Sequence, residues 1–411
     1  MRESIKNLPN VSQILFGNSN ELLPSVTELF ELELAYLEYV TLEKAALINR
    51  SGFFKSIEGE LTNHFHLYSQ QSDAILKNRS NRTRSYFSEG QFSTGYATHG
   101  LFPYRGKFHP QLIKGLLNII GIKPGDLVLD PLCGSGTLNI EASLMGINSI
   151  AIDISPFCQF MTKTKYDALT MESESLEKLI ENQVKIFNYF NNGRRTREIF
   201  DCEKIKLHDF TLLAFLDAMG YSKRVKKSTH EELFYKVLER YVKTVSNMLN
   251  NPYFNRLDIG TMTLLPESDA KNTRIGNNRV DAVITSPPYS FAIDYVKNDQ
   301  AQLDYLGVDI ELLRSKMIGL KGVTVAERLE FYFSDMYKVC SEILRVLKPE
   351  KYFIMIIGSN TNQTGGVRLE QKIIEYCEDI GSNLVRKILK PIKGIRNTMK
   401  EEWILIFQKN G

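Results

Sequence analysis

The sequence predicts an α/β fold: a Rossmann-like, mostly parallel sheet closed by an antiparallel hairpin, with a helical N-terminal extension and a helical insertion. Three observations predict it. Leu127-Val-Leu-Asp130, a glycine-rich turn, a helical stretch and Ser149-Ile-Ala-Ile-Asp153 follow one another as in a βαβ unit. Val280-Asp-Ala-Val-Ile-Thr285 and Tyr352-Phe-Ile-Met-Ile-Ile357 read as further buried strands. Val385-Arg-Lys-Ile-Leu389 and Trp403-Ile-Leu-Ile-Phe407 read as the arms of a hairpin with a long basic loop between them.

The elements divide the chain into three parts. Residues 1–93 are expected to be a helical extension. In Ser25-Val-Thr-Glu-Leu-Phe-Glu-Leu-Glu-Leu-Ala-Tyr-Leu, apolar residues recur at three- and four-residue spacing, and Ser25 with Glu28 fits a capping box. Lys77-Asn-Arg79-Ser-Asn-Arg82-Thr-Arg84 has almost no apolar content and reads as a loop or linker. Residues 94–156 and 256–411 form the α/β domain, with a helix over 111–120 and a turn at Gly121-Ile-Lys-Pro-Gly125-Asp126. Residues 157–255 interrupt it as a mostly helical insertion. Basic spots occur there at Arg194, Arg195 and Arg197, and at Lys223, Arg224, Lys226 and Lys227.

Composition bounds the function. A length of 411 residues suits one large domain with insertions, or two domains. With 43% hydrophobic and 24% charged residues, wholesale disorder is excluded. A net charge of +3 does not by itself mark a nucleic-acid binder, so any basic surface must come from local clustering. Cys133, Cys158, Cys202, Cys340 and Cys377 are odd in number, scattered and free of CxxC pairs, which argues against a disulfide framework and a zinc site; no metal is expected. Met1-Arg-Glu-Ser-Ile lacks an apolar leader core, and no apolar run approaches the roughly 20 residues of a bilayer span. A soluble, cytoplasmic protein is expected.

Two strings carry chemistry. Asp130-Pro-Leu-Cys-Gly-Ser-Gly-Thr137 stands where a strand ends and a helix begins. Glycines there let a ligand approach the backbone, and the helix start offers free N–H groups. No Lys follows the glycines, so this is no Walker A loop; Asn139 breaks the dinucleotide GxGxxG pattern. A carboxylate at Asp130 can hold a cationic group, and one at Asp153 suits a ribose diol. Either acid alone is a polar strand end; both at the C-terminal edge of a sheet point to a ligand site. The second string, Asp281-Ala-Val-Ile-Thr-Ser286-Pro-Pro-Tyr289, runs from a strand into a loop stiffened by two prolines. Taken alone, it reads equally as a Pro-Pro turn with a packed tyrosine. As a site it offers hydrogen-bond acceptors and a flat face to a planar group, such as the exocyclic amine of a nucleobase.

Together, Asp130-Pro-Leu-Cys-Gly-Ser-Gly-Thr137 and Thr285-Ser-Pro-Pro-Tyr289 resemble the S-adenosylmethionine and catalytic motifs of amino-group DNA methyltransferases. Pro103-Tyr-Arg-Gly-Lys107-Phe108-His-Pro110 resembles the segment that closes over the methionine part of the cofactor in that family. The resemblance covers about residues 94–156 and 256–409. It implies a class I methyltransferase sheet, S-adenosyl-L-methionine as cofactor and double-stranded DNA as partner, with a cognate restriction endonuclease as a second partner. The serine before the prolines is the form typical of the N4-cytosine subgroup, so the implied reaction is methylation of the cytosine N4 amine, with the base flipped out of the duplex.

The implied cofactor contacts are Lys107, Phe108, Asp130, Pro131, Cys133, Gly134, Ser135, Gly136, Thr137, Asp153, Ile154 and Phe157, the last being equally a core residue. The implied catalytic residues are Ser286, whose hydroxyl, with the Pro287 carbonyl, accepts the amine N–H groups, then Pro288, and Tyr289, which stacks on the base. Arg79, Arg82, Arg84, Lys393, Arg396 and Lys400 are the expected phosphate contacts. The family acid that meets the cofactor adenine falls here at Asp258-Ile-Gly260-Thr261, displaced from its usual place. Insertion 157–255 would read the DNA. Three alternatives stay open: an N6-adenine enzyme; an RNA guanine-N2 methyltransferase, whose Ile-Glu-Ala is present at 140–142; and a catalytically silent DNA-binding subunit.

Overall fold

The computed structural model describes residues 10–68, 95–104, 106–193, 202–222, 228–288, 294–392 and 401–411. In chain order, the N-terminal part holds α1 (Val11–Phe16), β1 (Glu21–Leu22), α2 (Leu29–Thr41), α3 (Lys44–Arg50), β2 (Phe54–Ile57), β3 (Glu60–Leu61) and α4 (Asn63–Tyr68). The α/β part opens with α5 (Pro110–Ile119), β4 (Leu127–Asp130), α6 (Thr137–Leu144) and β5 (Asn148–Ala151). Five helices follow: α7 (Pro156–Asp167), α8 (Ser173–Glu181), α9 (Gln183–Asn191), α10 (Cys202–Ser222) and α11 (His230–Leu249). Then come β6 (Met262–Leu264), β7 (Val280–Thr285), α12 (Tyr295–Asn298), α13 (Gln300–Tyr305), α14 (Ile310–Lys316) and α15 (Val325–Val346). The chain closes with β8 (Leu347–Ile357), α16 (Leu369–Asp379), β9 (Ser382–Pro391) and β10 (Glu401–Lys409).

Among the described residues, the main sheet has seven strands in the order β6-β5-β4-β7-β8-β10-β9. Neighbours from β6 to β8 are parallel, and β10 runs antiparallel to both β8 and β9. This is the Rossmann-like class I methyltransferase sheet that the sequence predicts, closing hairpin included. Its strands are buried on both faces. Val128, Ile284, Ile354, Ile356, Ile404 and Ile406 belong to one core, and Leu129, Val283, Phe353, Met355, Leu405 and Phe407 to another. The alternation has period two along each strand, which is why these strands read in sequence as continuous apolar runs.

The first core takes in the N-terminal extension. Phe16, Leu34, Leu47, Phe53 and Phe54 pack there with Leu112, Ile113, Leu116 and Leu117 of α5. Polar groups fasten the same joint. Glu38, fully buried, accepts from the Gly52 N–H at 2.8 Å and from Asn118 Nδ2 at 2.6 Å, and Arg50 Nε donates to Asn118 Oδ1 at 2.6 Å. Residues 1–93 are therefore no separate helical unit: their described part shares a core with the sheet. Nor are they all helical. The small sheet β1-β2-β3 includes a hairpin whose two loop residues, Glu58 and Gly59, both have positive φ (49° and 83°). That is the twist a two-residue hairpin requires. The expected cap at Ser25 also moves: α2 is capped by Glu28 with Glu31, while Ser25 Oγ donates to Gln111 Oε1 of α5 at 3.1 Å.

The long helical stretch is present. Helix α7 packs on α6 and β6 and also on α10, so it joins the sheet to the helices that follow. The remaining helices build a third core around Phe187, Phe190, Phe215, Phe234 and Tyr241, and that core includes Leu101 and Phe102. Strand β6 is only three residues long, too short for its alternation to register, which is why the sequence reading passes over it. No helix among the described residues is long and apolar enough to cross a membrane.

Candidate active site

The strand order reverses between β4 and β7, and in open α/β sheets ligands bind beyond the strand ends at such a point. A cleft of about 960 Å³, open mouth included, lies there. Its lining combines Pro131–Ser135 and Thr137 after β4, Asp153–Ser155 after β5, Asp269 and Ala270 after β6, and Ser286 and Pro288 after β7. Four strand ends thus feed one cavity.

The glycine loop is folded by its own backbone. Cys133 N–H donates to the Ile152 carbonyl at 2.9 Å, and Gly136 N–H to the Cys133 carbonyl at 2.8 Å. Gly134 and Gly136 have φ of +51° and +75°. At Gly136 the need is also steric: a Cβ would lie 2.7 Å from Thr162 Cγ2 on α7. Asp153 holds the loop from the next strand, its Oδ2 accepting from Gly134 N–H at 2.8 Å and its Oδ1 from Ser155 N–H at 2.9 Å. Burial raises the Asp153 carboxyl above its ordinary value, against the pull of these backbone donors.

Asp130 lies behind the cleft wall rather than in it. Its carboxylate is fully buried; Oδ1 accepts from Leu132 N–H at 3.1 Å and from Thr285 Oγ1 at 2.9 Å. Oδ2 is sealed with no hydrogen-bond partner. Burial pushes the carboxyl up to about 7, opposed by the Leu132 and Thr285 hydrogen bonds. Asp130 thus ties the root of the glycine loop to the root of the Ser-Pro-Pro loop, and reaches a cleft ligand through its field rather than by contact.

The facing walls come from elements that the motifs do not mark. Tyr104, Gly106, Lys107 and Phe108 form one. Lys107 Nζ donates to the His99 carbonyl at 3.0 Å, and His99 Nε2 lies 2.7 Å from Glu141 Oε1 on α6. Tyr295, Asp299, Leu303, Leu313 and residues 316–318 form the other. The Tyr104 and Tyr295 rings stack across the cleft with centroids 6.3 Å apart. Burial raises the Tyr295 hydroxyl to about 12, so it stays protonated at neutral pH. The sequence reading missed α12–α14, whose residues are ordinary helix formers and reach the site only through tertiary packing.

Of the expected cofactor residues, Lys107, Phe108, Pro131, Cys133, Gly134, Ser135, Thr137, Asp153 and Ile154 line the cleft. Gly136 shapes the loop from below. Phe157 does not line the cleft; it is fully buried, edge-on to Phe102 at 5.0 Å. The expected adenine acid is displaced further than the sequence implies. Asp258 precedes β6 at its N-terminal end, its carbonyl beside Gly146, whereas Asp269, past the C-terminal end, lines the cleft. Ser286 and Pro288 line the cleft and Pro287 is buried beneath them. Tyr289, Arg79, Arg82, Arg84, Lys393, Arg396 and Lys400 lie outside the described residues. The shape and charge fit S-adenosylmethionine: a glycine loop, an acid at the second strand end, and the carboxylates Asp153, Asp269 and Asp299 around a space that a cation would enter.

Comparison with known proteins points the same way. Residues 101–304 match the family described as RMKL-like, methyltransferase domain. The chain is similar to the Type II methyltransferase M.BsoBI of Geobacillus stearothermophilus, 24% identical over 54% of this chain and 55% of that one. It is 23% identical to the Type II methyltransferase M.AvaI of Nostoc sp. over 83% of this chain and 88% of that one. A shorter stretch is 45% identical to the tRNA (guanine(10)-N2)-dimethyltransferase of Methanothermobacter thermautotrophicus, over 13% of this chain and 16% of that one. The chain thus spans about half the length of the first of these relatives and far less of the third. Among solved structures, TrmN from Thermus thermophilus aligns at a TM-score of 0.33 and 12% identity, over 74% of this chain and 50% of that one; so low a score adds nothing to the strand order.

Proposed function

We propose that this protein is an S-adenosylmethionine-dependent DNA methyltransferase acting on the exocyclic N4 amine of cytosine, as the modifying half of a restriction-modification system. The observation that carries the reading is the shared cleft: the glycine loop and the Ser-Pro-Pro loop open into one cavity, their roots joined by the Thr285–Asp130 hydrogen bond. The Type II relatives supply DNA as the substrate class, and Ser286 the preference for cytosine.

When bound, S-adenosylmethionine supplies an electrophilic methyl group on a sulfonium. The chain's residues do the rest. Asp153 would hold the ribose hydroxyls and Asp269 the adenine side, and Lys107 and Phe108 would cover the methionine portion. The target amine is a weak nucleophile because its lone pair is conjugated with the ring. The Ser286 hydroxyl and the Pro287 carbonyl accept its two N–H groups and turn that lone pair toward the methyl group, so catalysis is mainly alignment. Tyr289 stacks on the base. The base reaches the cleft only when flipped from the duplex, which costs a few kcal/mol.

The local likeness to a tRNA guanine-N2 enzyme supports a second reading, since a guanine amine has the same needs. Transfer of tritiated methyl to duplex DNA and to transfer RNA, with the modified base mapped by mass spectrometry, separates the two. We expect N4-methylcytosine in DNA. N6-methyladenine would correct the base alone, and label confined to transfer RNA would overturn the proposal.

A further inference from the structure

The cleft has two movable-looking walls, the segment 101–104 with 106–108 on one side and α12–α13 on the other, and one turn of α10 holds both. Asp217 and Leu216 are consecutive residues of that helix. The Asp217 carboxylate, 3% exposed, accepts from Tyr241 Oη at 3.0 Å and from Arg240 at 2.7 Å. Tyr241 Oη, fully buried, in turn accepts from the Phe102 N–H at 2.6 Å. Phe102 is a non-glycine residue at φ +56°, a conformation that persists only where its surroundings fix it. Two residues on, Tyr104 enters the cleft. On the other side, the Leu216 carbonyl accepts from Gln302 Nε2 at 3.1 Å. Gln302 sits between Asp299 and Leu303, both cleft residues. The approach is close enough that a Cβ at Gly220, one turn further along α10, would lie 2.9 Å from Gln302 Nε2.

We propose that the Leu216–Asp217 turn is a positioning device that links the helical insertion to both walls of the cleft, with Asp217, Tyr241 and Gln302 as its positioning residues. The inference rests on reading the cleft as a cofactor site only for its effect on affinity; the linkage itself is a property of the fold. None of the three residues lines the cleft. Each acts through another group: Tyr241 through the Phe102 amide, Asp217 through the Tyr241 hydroxyl, Gln302 through the helix it anchors. A shift of α10 would therefore reach the Tyr104 wall through Asp217 and Tyr241 and the α12–α13 wall through the Leu216 carbonyl and Gln302.

The test uses the full chain and three near-isosteric variants, Tyr241→Phe, Asp217→Asn and Gln302→Leu. Amide hydrogen exchange is followed at Phe102 and Tyr104 and at residues 299–305, and S-adenosylhomocysteine affinity is measured by calorimetry. In Tyr241→Phe and Asp217→Asn we expect faster exchange at Phe102 and Tyr104, with unchanged exchange in β4, β7 and β8. Affinity should fall about three- to tenfold, the worth of one buried hydrogen bond. Gln302→Leu should also speed exchange at Phe102, a residue it does not touch, and this is the sign of linkage. Faster exchange spread evenly over the sheet would mark a merely structural role and overturn the proposal. So would a Gln302→Leu effect confined to 299–305, or wild-type exchange at Phe102 in Tyr241→Phe. If the wild-type protein does not bind S-adenosylhomocysteine, the cofactor reading fails, while the exchange arms still decide the linkage.

Discussion

Thr285 Oγ1 donates to Asp130 Oδ1 at 2.9 Å, across two adjacent parallel strands and 155 residues of sequence. Strand β4 ends in Asp130 and β7 ends in Thr285, so the bond joins the last residue of each strand just before its functional loop. On the proposed reading, the loops that would hold methyl donor and acceptor share a common anchor. The anchor is buried, and in a low-dielectric setting such a bond is costly to leave unmade.

Replacing Thr285 with Val keeps the shape and removes the donor. Asp130 Oδ1 then keeps only the Leu132 N–H. We expect a loss of about 1–3 kcal/mol in urea unfolding, together with a lower methyl-transfer rate. Thr285→Ser, which restores the hydroxyl, should recover most of the rate. A Val variant as active and stable as the wild type would remove the anchor from the mechanism.

Gly136→Ala tests the loop from below. A methyl group there meets Thr162 at 2.7 Å, at a φ of +75° that L-residues avoid. Both costs fall on the turn that starts α6. Destabilisation of about 1–3 kcal/mol is expected, and S-adenosylhomocysteine affinity should drop with it. Thr162→Ala in the same chain relieves the clash but not the φ strain, so calorimetry should find only partial recovery.

Much of this site was legible in the sequence because it is local. Asp130, the glycines and Asp153 lie within one βαβ unit, and Ser286-Pro-Pro follows its strand directly. The mostly parallel sheet with its closing hairpin could be anticipated because buried strands are continuous apolar runs. What escaped depends on contacts distant in sequence. Met262–Leu264 is too short for periodicity to register. Asp258 reads as the expected acid displaced from its usual place; Gly260 beside it packs where a Cβ would lie 2.1 Å from the Ile147 carbonyl, so that stretch enters the sheet at its far edge and Asp269 emerges at the cleft. The wall of α12–α14 carries no motif. Glu58-Gly59 is not one of the Asn-Gly or Asp-Gly pairs that mark a two-residue hairpin, so the β2–β3 turn escapes the sequence reading.

Ser286 separates chemistry from binding. It lines the cleft beside Pro288, on the far side of the glycine loop's root from Asp153. On the proposed mechanism, an Ala variant would lose an acceptor for the amine that matters most as the lone pair leaves conjugation. We expect kcat to fall about 100-fold, in the range for removing one group that stabilises the transition state, with S-adenosylhomocysteine affinity unchanged. A matching loss of cofactor affinity would place Ser286 in the cofactor site instead.

Asp130 gives the cleft a pH dependence of definite sign. Burial pushes its carboxyl up to about 7, so in the ligand-free protein it is largely neutral below that pH. A carboxyl with a raised folded value contributes stability that is fully present below its ordinary range near pH 4 and is lost as pH rises through about 7. The ligand-free protein should therefore lose stability from this group as pH rises from about 4 to about 7, with little further change above that. A cation in the adjoining cleft favours the ionised form, so S-adenosylmethionine should bind more tightly as pH rises from about 6 to 8, at most tenfold per unit below the carboxyl's value. S-adenosylhomocysteine, which lacks the sulfonium charge, should show a shallower rise. Glu38 serves as the control. It too is pushed up to about 7 by burial, but it lies at the joint between α2 and α5, among Gly52, Phe53 and Asn118. Asp130→Asn should flatten both the stability profile and the affinity profile, whereas Glu38→Gln should flatten only the first. Calorimetric affinities and urea midpoints at four pH values decide it: an Asp130→Asn variant whose affinity still climbs with pH like the wild type's would assign the cleft's proton to another group, with Asp153 next in line.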